Sequence, residues 1–135
     1  MEIFGDRSIK NQKSVYVLED DIALSTVIDR VLRSIQKNIL LDWSTRAEQA
    51  MLALINAHNK GIDTPYDLII ADVFLDGQMT GIDFYRQSRI IFPHIPVILI
   101  SSTYVHHTSQ MPIFLQKPFS ISECKNLFKK QLNVA

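Results

Sequence analysis

The sequence predicts an α/β domain built as a doubly wound, five-stranded parallel sheet with helices on both faces. Three observations carry the prediction. Short apolar β-rich runs alternate with segments of helical period, the pattern of an α/β sheet. Two runs, Leu68–Ala71 and Val97–Ile100, are continuously apolar, as strands covered on both faces are. Four runs stop on chemistry-bearing groups: Glu19-Asp20-Asp21, Asp72, Ser101 and Lys117.

Val15–Leu18 is read as the first strand. Leu24, Val27, Ile28, Val31, Leu32 and Ile35 then form one stripe, predicting a helix over 21–36. Asp20 or Asp21 is placed to cap it. Ile39–Trp43 is the second strand, with Trp43 packing at its end. Thr45-x-x-Glu48 has the form of a capping box, and Ala47, Ala50, Met51, Leu54 and Ile55 carry a helix to about Asn59, stopped by Gly61. Tyr66–Ala71 is the third strand. Asp76-Gly77 and Gly81 mark a loop, and Ile82–Phe92 is a helix ended by Pro93. Pro96–Ile100 and Pro112–Gln116 are the last strands. Ser120-x-x-Glu123 is a second capping box, opening a helix with Leu127, Phe128 and Leu132 inside. Residues 102–111 are poor helix formers without an apolar stripe, so the helix between strands four and five is expected to be short or irregular.

The chain has 135 residues, the size of one domain. Residues 1–13 read as a polar lead-in and 14–132 as the domain, with no output domain in this chain. Lys+Arg and Asp+Glu are both 14, so no charge footprint points to nucleic acid or an anionic membrane. No apolar run approaches the roughly 20 residues of a membrane helix, and the N-terminus lacks a secretion signal. The single cysteine, Cys124, suits a reducing cytoplasm and reads as a small apolar residue on the last helix.

In doubly wound sheets, ligands bind beyond the carboxyl ends of the strands where strand order reverses. Carboxylates gathered there need a positive partner, since a pair at about 4 Å repels by about 4 kcal/mol at an effective dielectric near 20. Mg²⁺ satisfies that need, binding through a few carboxylates while contacting phosphate. Lys117 is a second positive partner.

Val17-Leu18-Glu19-Asp20-Asp21 resembles the acidic signature of bacterial response-regulator receiver domains. Leu68–Gly77 with Thr80-Gly81 is similar to the segment around their phosphoacceptor aspartate. Pro96–Ser102 resembles their fourth strand with its terminal hydroxyl, and Phe114-Leu115-Gln116-Lys117-Pro118-Phe119 their fifth strand and Lys-Pro turn. The four segments stand in the family's order, and the resemblance covers about residues 14–132.

The resemblance implies a flavodoxin-like sheet of order 2-1-3-4-5. It implies a member of a two-component system or phosphorelay, with Asp72 taking a phosphoryl group from a histidine kinase or phosphotransfer protein. Glu19, Asp20, Asp72 and the Phe74 carbonyl would hold Mg²⁺. Ser101 and Lys117 would bond the phosphoryl oxygens, and the Lys117–Pro118 peptide would be cis. Ser101 and Phe114 would act as the switch that signals to a downstream protein partner, with homodimerisation a further implied option. The connection from Ser101 to Phe114 is shorter than the family's pattern, which puts the usual signalling face in question. Phe74, two residues past the acceptor, is expected to shield an acyl phosphate from water.

Other readings stand beside this one. A receiver-shaped interaction module that no longer depends on phosphorylation would keep the fold. A Mg²⁺-dependent phosphohydrolase of the haloacid-dehalogenase type would want a second Asp where Phe74 stands. A flavodoxin-like nucleotide binder would want a Gly-rich loop where Glu19-Asp20-Asp21 stand. His106-His107 are adjacent, not at the i, i+4 spacing of a helical metal pair.

Overall fold

Strand pairing joins the five apolar runs into one parallel sheet of order β2-β1-β3-β4-β5, as expected. A computed structural model describes residues 12–102 and 112–134. Its elements run β1 (Ser14–Leu18), α1 (Ile22–Ile35), β2 (Leu40–Ser44), α2 (Ala47–Asn59), β3 (Leu68–Asp72), α3 (Gly81–Ile91), β4 (Val97–Ser101), β5 (Ile113–Gln116) and α4 (Ile121–Leu132). Most of the lead-in, His106-His107 and the expected irregular helix lie outside the described residues.

Alternation along the strands divides the core in two. Val15, Val17, Leu68, Ile70, Ile98 and Ile100 face α1 and α4, where Ile28, Leu32, Cys124 and Phe128 are buried. Tyr16, Leu18, Ile69, Ala71, Val97 and Leu99 face α2 and α3, where Leu54 and Phe84 are buried. β3 and β4 are buried at every residue, which is why their sequences do not alternate. β2 is an edge strand, and Trp43, rather than packing closely, is 40% exposed near its end.

Element ends differ from the sequence reading in an informative way. β3 extends through Asp72 and β4 through Ser101, so both site residues belong to the strands. Asp21 is the cap of α1, its carboxylate accepting from the N–H of Ala23 at 2.9 Å and of Leu24 at 3.3 Å. Ser120 and Glu123 form the expected capping box.

The box expected at Thr45 does not form. Arg46 occupies the cap position of α2 without a side-chain bond. The carboxylate that would have closed the box, Glu48, instead accepts from the N–H of Gln78 and Met79. A box the sequence reading passed over joins Thr80 to Asp83 and opens α3 one residue earlier, at Gly81. Gly61, with φ of 75°, stands just past α2 as the expected stop.

Candidate functional site

Parallel register brings the strand endings together. Leu18 pairs with Ala71, so the next residues, Glu19 and Asp72, stand side by side. This is the reversal point of the sheet, with β2 on one side of β1 and β3 on the other. Asp72 pairs with Ile100, placing Ser101 one step beyond. Ser101 pairs with Gln116, and the Lys117 N–H donates to the Ser101 carbonyl at 2.8 Å.

Three polar side chains at this edge are buried: Glu19 at 5%, Asp72 at 6% and Ser101 at 2% exposure. Burying an ionised carboxylate is costly unless it is paired. Asp72 is paired twice. Its Oδ2 accepts from Lys117 Nζ at 2.9 Å, and its Oδ1 accepts from the Phe74 N–H at 3.0 Å. Burial opposes the Lys117 charge, but the hydrogen bond and charge of Asp72, joined by Glu19 and Asp21, hold its pKa above the usual lysine value. The Lys117–Pro118 peptide is cis, as the resemblance implies.

Glu19 is less well served. Its Oε2 accepts from the Asp21 N–H at 3.1 Å, while its Oε1 is buried without a hydrogen-bond partner among the described residues. Burial first, opposed by that N–H and reinforced by the charge of Asp72, pushes its carboxyl up to about 8.

Glu19, Asp20 and Asp72 each offer one oxygen, and these atoms lie within 4.8 Å of one another. With Asp21 committed to capping α1, Asp20 is left exposed at the site. One ammonium thus faces three carboxyl groups, two of them the aspartates and the third the raised Glu19, whose buried Oε1 has no hydrogen-bond partner among the described residues. An all-oxygen donor set with unbalanced negative charge fits a hard divalent cation such as Mg²⁺.

Gly81, the first residue of α3, lies against the end of β3, where an added Cβ would clash with the Asp72 carbonyl oxygen. The Phe74 side chain is 63% exposed. Phe114 is half-buried on β5, opposite Leu99, and packs against the α2–α3 core. The bonds from the loop to Glu48 and the close approach of Gly81 to β3 were not read from the sequence. Gly81 could have been found as a glycine at a helix start. Nothing local marks Glu48, whose partners lie 30 and 31 residues away.

No protein-family model and no curated protein matches the chain. Solved structures do. The phosphorylated cyanobacterial phytochrome response regulator RcpA superposes with a TM-score of 0.73 at 18% identity, over 92% of this chain and 96% of that one. The chemotaxis response regulator CheY4 of Vibrio cholerae gives 0.68 at 18% identity, over 90% and 99%. A response regulator receiver protein from Sinorhizobium medicae gives 0.70 at 18% identity, over 90% and 95%. The chain therefore has the fold of response-regulator receiver domains. The structural neighbours are signalling proteins of that class, and the acidic cluster of this chain stands where its β1 and β3 end. No described helix is long and apolar enough to cross a membrane.

Proposed function

We propose that the protein is a phosphoacceptor receiver that takes a phosphoryl group onto Asp72. The observation that carries this reading is the setting of Asp72. It is a buried carboxylate at a strand end, held by Lys117 at 2.9 Å and grouped with Glu19 and Asp20.

In the proposed transfer, an Asp72 oxygen attacks phosphorus as the bond to the donor breaks. From a phosphohistidine the leaving atom is an imidazole nitrogen, which keeps the bonding pair; from acetyl phosphate it is a carboxylate oxygen. The product is an acyl phosphate. Glu19, Asp20, Asp72 and the Phe74 carbonyl would hold Mg²⁺, which when bound supplies positive charge against the phosphoryl oxygens. Lys117 moves its ammonium from the Asp72 carboxylate to a phosphoryl oxygen, and the Ser101 hydroxyl donates to another. The donor would be a histidine kinase or phosphotransfer protein.

Phosphorylation would draw Ser101 toward Asp72, and Phe114 would follow. A surface around β4 and β5 thereby changes and is read by a protein partner or a second copy. The single cysteine suits a reducing cytoplasm as the place of action. The protein catalyses only its own phosphorylation and slow dephosphorylation.

Incubation with acetyl phosphate and Mg²⁺, followed by intact mass, tests the reading. One phosphoryl adduct is expected, absent in Asp72→Asn and without metal. No adduct, with a histidine kinase as donor as well, would favour an interaction module independent of phosphate.

A further inference from the structure

We propose that Glu48, on α2, is a positioning residue for metal-dependent phosphoryl acceptance at Asp72. It acts by setting the loop that carries Phe74. The inference rests on the proposed function and names a support of that site which is remote in sequence.

The loop from Val73 to Thr80 joins the acceptor strand to α3, and it is held largely from outside itself. The Val73 N–H donates to the Ile100 carbonyl at 2.9 Å, and the Phe74 N–H to Asp72 Oδ1. At the far end the Thr80 N–H donates to Asp83. Between these anchors, the N–H groups of Gln78 and Met79 both donate to Glu48 Oε2, at 3.1 and 3.3 Å. One carboxylate oxygen thus ties the later part of the loop to α2, the helix that precedes β3.

Two further observations point to the same tether. Gly77 has φ of 93°, a conformation L side chains rarely adopt, and a Cβ there would stand 2.9 Å from Glu48 Oε1. The loop has been left without a side chain where the carboxylate passes. One step away, Asp76 forms an isolated parallel bridge with Arg46, at the cap position of α2. The Glu48 amide, then the N–H groups of Gln78 and Met79, hold its carboxyl below the usual value.

The consequence falls on the site. Phe74 lies between Asp72, which its N–H bonds, and the tethered segment. A loop fixed at both Asp72 and Gln78 presents the Phe74 carbonyl in one place. Without the Glu48 tether the loop keeps its end anchors and the Asp76–Arg46 bridge, the Phe74 carbonyl ranges over more positions, and that order must be restored when metal binds. Partners bonded directly to metal ligands typically carry about 10- to 100-fold in affinity, and a tether further along the loop is expected at the lower end of that range.

The test uses the full chain with Mg²⁺ alone and then acetyl phosphate. Calorimetric titration gives the Mg²⁺ dissociation constant, and intact mass gives the phosphorylation rate against Mg²⁺ concentration. Glu48→Ala is expected to weaken Mg²⁺ binding about tenfold. Its phosphorylation should be slow at low Mg²⁺ and recover at saturating Mg²⁺. Glu48→Gln keeps an acceptor oxygen without the charge, and it should rescue most of the loss. Gly77→Ala, disturbing the same contact from the loop side, should reproduce the loss. Thermal unfolding identifies any variant that does not fold, and the remaining variants then decide. Unchanged Mg²⁺ affinity in a folded Glu48→Ala or Gly77→Ala protein would overturn the inference, and so would an equal loss in Glu48→Ala and Glu48→Gln. A wild-type chain that takes neither Mg²⁺ nor a phosphoryl group would instead overturn the proposed function itself.

Discussion

Glu19 shows what the site costs the fold. Its carboxyl titrates near 4.5 in an unfolded chain and at about 8 in the folded one. Between those values the folded state binds more protons. Stability attributable to this group is therefore full below about 4.5 and is lost as pH rises through about 8. In metal-free protein, urea unfolding of Glu19→Gln should lack this decline and should be the more stable of the two on the alkaline side. Parallel curves for variant and wild type would contradict the assignment. Lys117 carries a different burden: it pairs with Asp72 at 2.9 Å, and in the proposed transfer it passes to the phosphoryl group. Lys117→Ala should slow phosphorylation by acetyl phosphate about 100-fold, the scale of losing one charge-stabilising donor. Stopped-flow or timed mass measurements would show it. For Phe74, the proposed shield of the acyl phosphate, Phe74→Ala should lose the phosphoryl group faster than wild type. An unchanged half-life would remove that role.

Among the elements, helix starts separate what sequence shows from what it hides. Ser120-x-x-Glu123 and Thr45-x-x-Glu48 are the same pattern, yet only the first makes a box. The difference is tertiary. Glu123 accepts from the Ser120 N–H, whereas Glu48 meets two loop N–H groups from beyond β3. The box at Thr80 escaped notice because Gly81 reads as loop, though the glycine is needed where α3 presses on the Asp72 carbonyl. Gly81→Ala must push α3 off the end of β3. A loss of at least about 2 kcal/mol in urea unfolding is expected, on the scale of overpacking a core. Ser120→Ala should cost about 1 kcal/mol, the ordinary worth of a cap. A loss as small as that of Ser120→Ala in Gly81→Ala would show that the contact at Asp72 is slack.

Across the whole molecule, the sheet was legible because β1, β3, β4 and β5 are short apolar runs and each of these four ends on a polar signal. β3 and β4 were the clearest, since burial on both faces leaves no polar alternation to confuse the period. The order of the strands was not readable from spacing; it followed from resemblance and was met by the pairing. Convergence of Glu19, Asp20, Asp72, Ser101 and Lys117 was readable because parallel strands end at one edge. Their unequal states were not. The unpartnered Oε1 of Glu19 and the pairing of Asp72 with Lys117 depend on distances that no motif encodes. Glu48 lay further out of reach, since its role exists only once α2 and the β3–α3 loop are brought together. In the proposed function, this edge delivers a phosphoryl group to one carboxylate among several. Reduction of the phosphorylated protein with borohydride converts an acyl phosphate to the alcohol, and peptide mass mapping then locates it. Homoserine at position 72, dependent on Mg²⁺, is the predicted result. An alcohol at position 19 or 20 instead, or none anywhere in protein exposed to acetyl phosphate and Mg²⁺, would contradict the account.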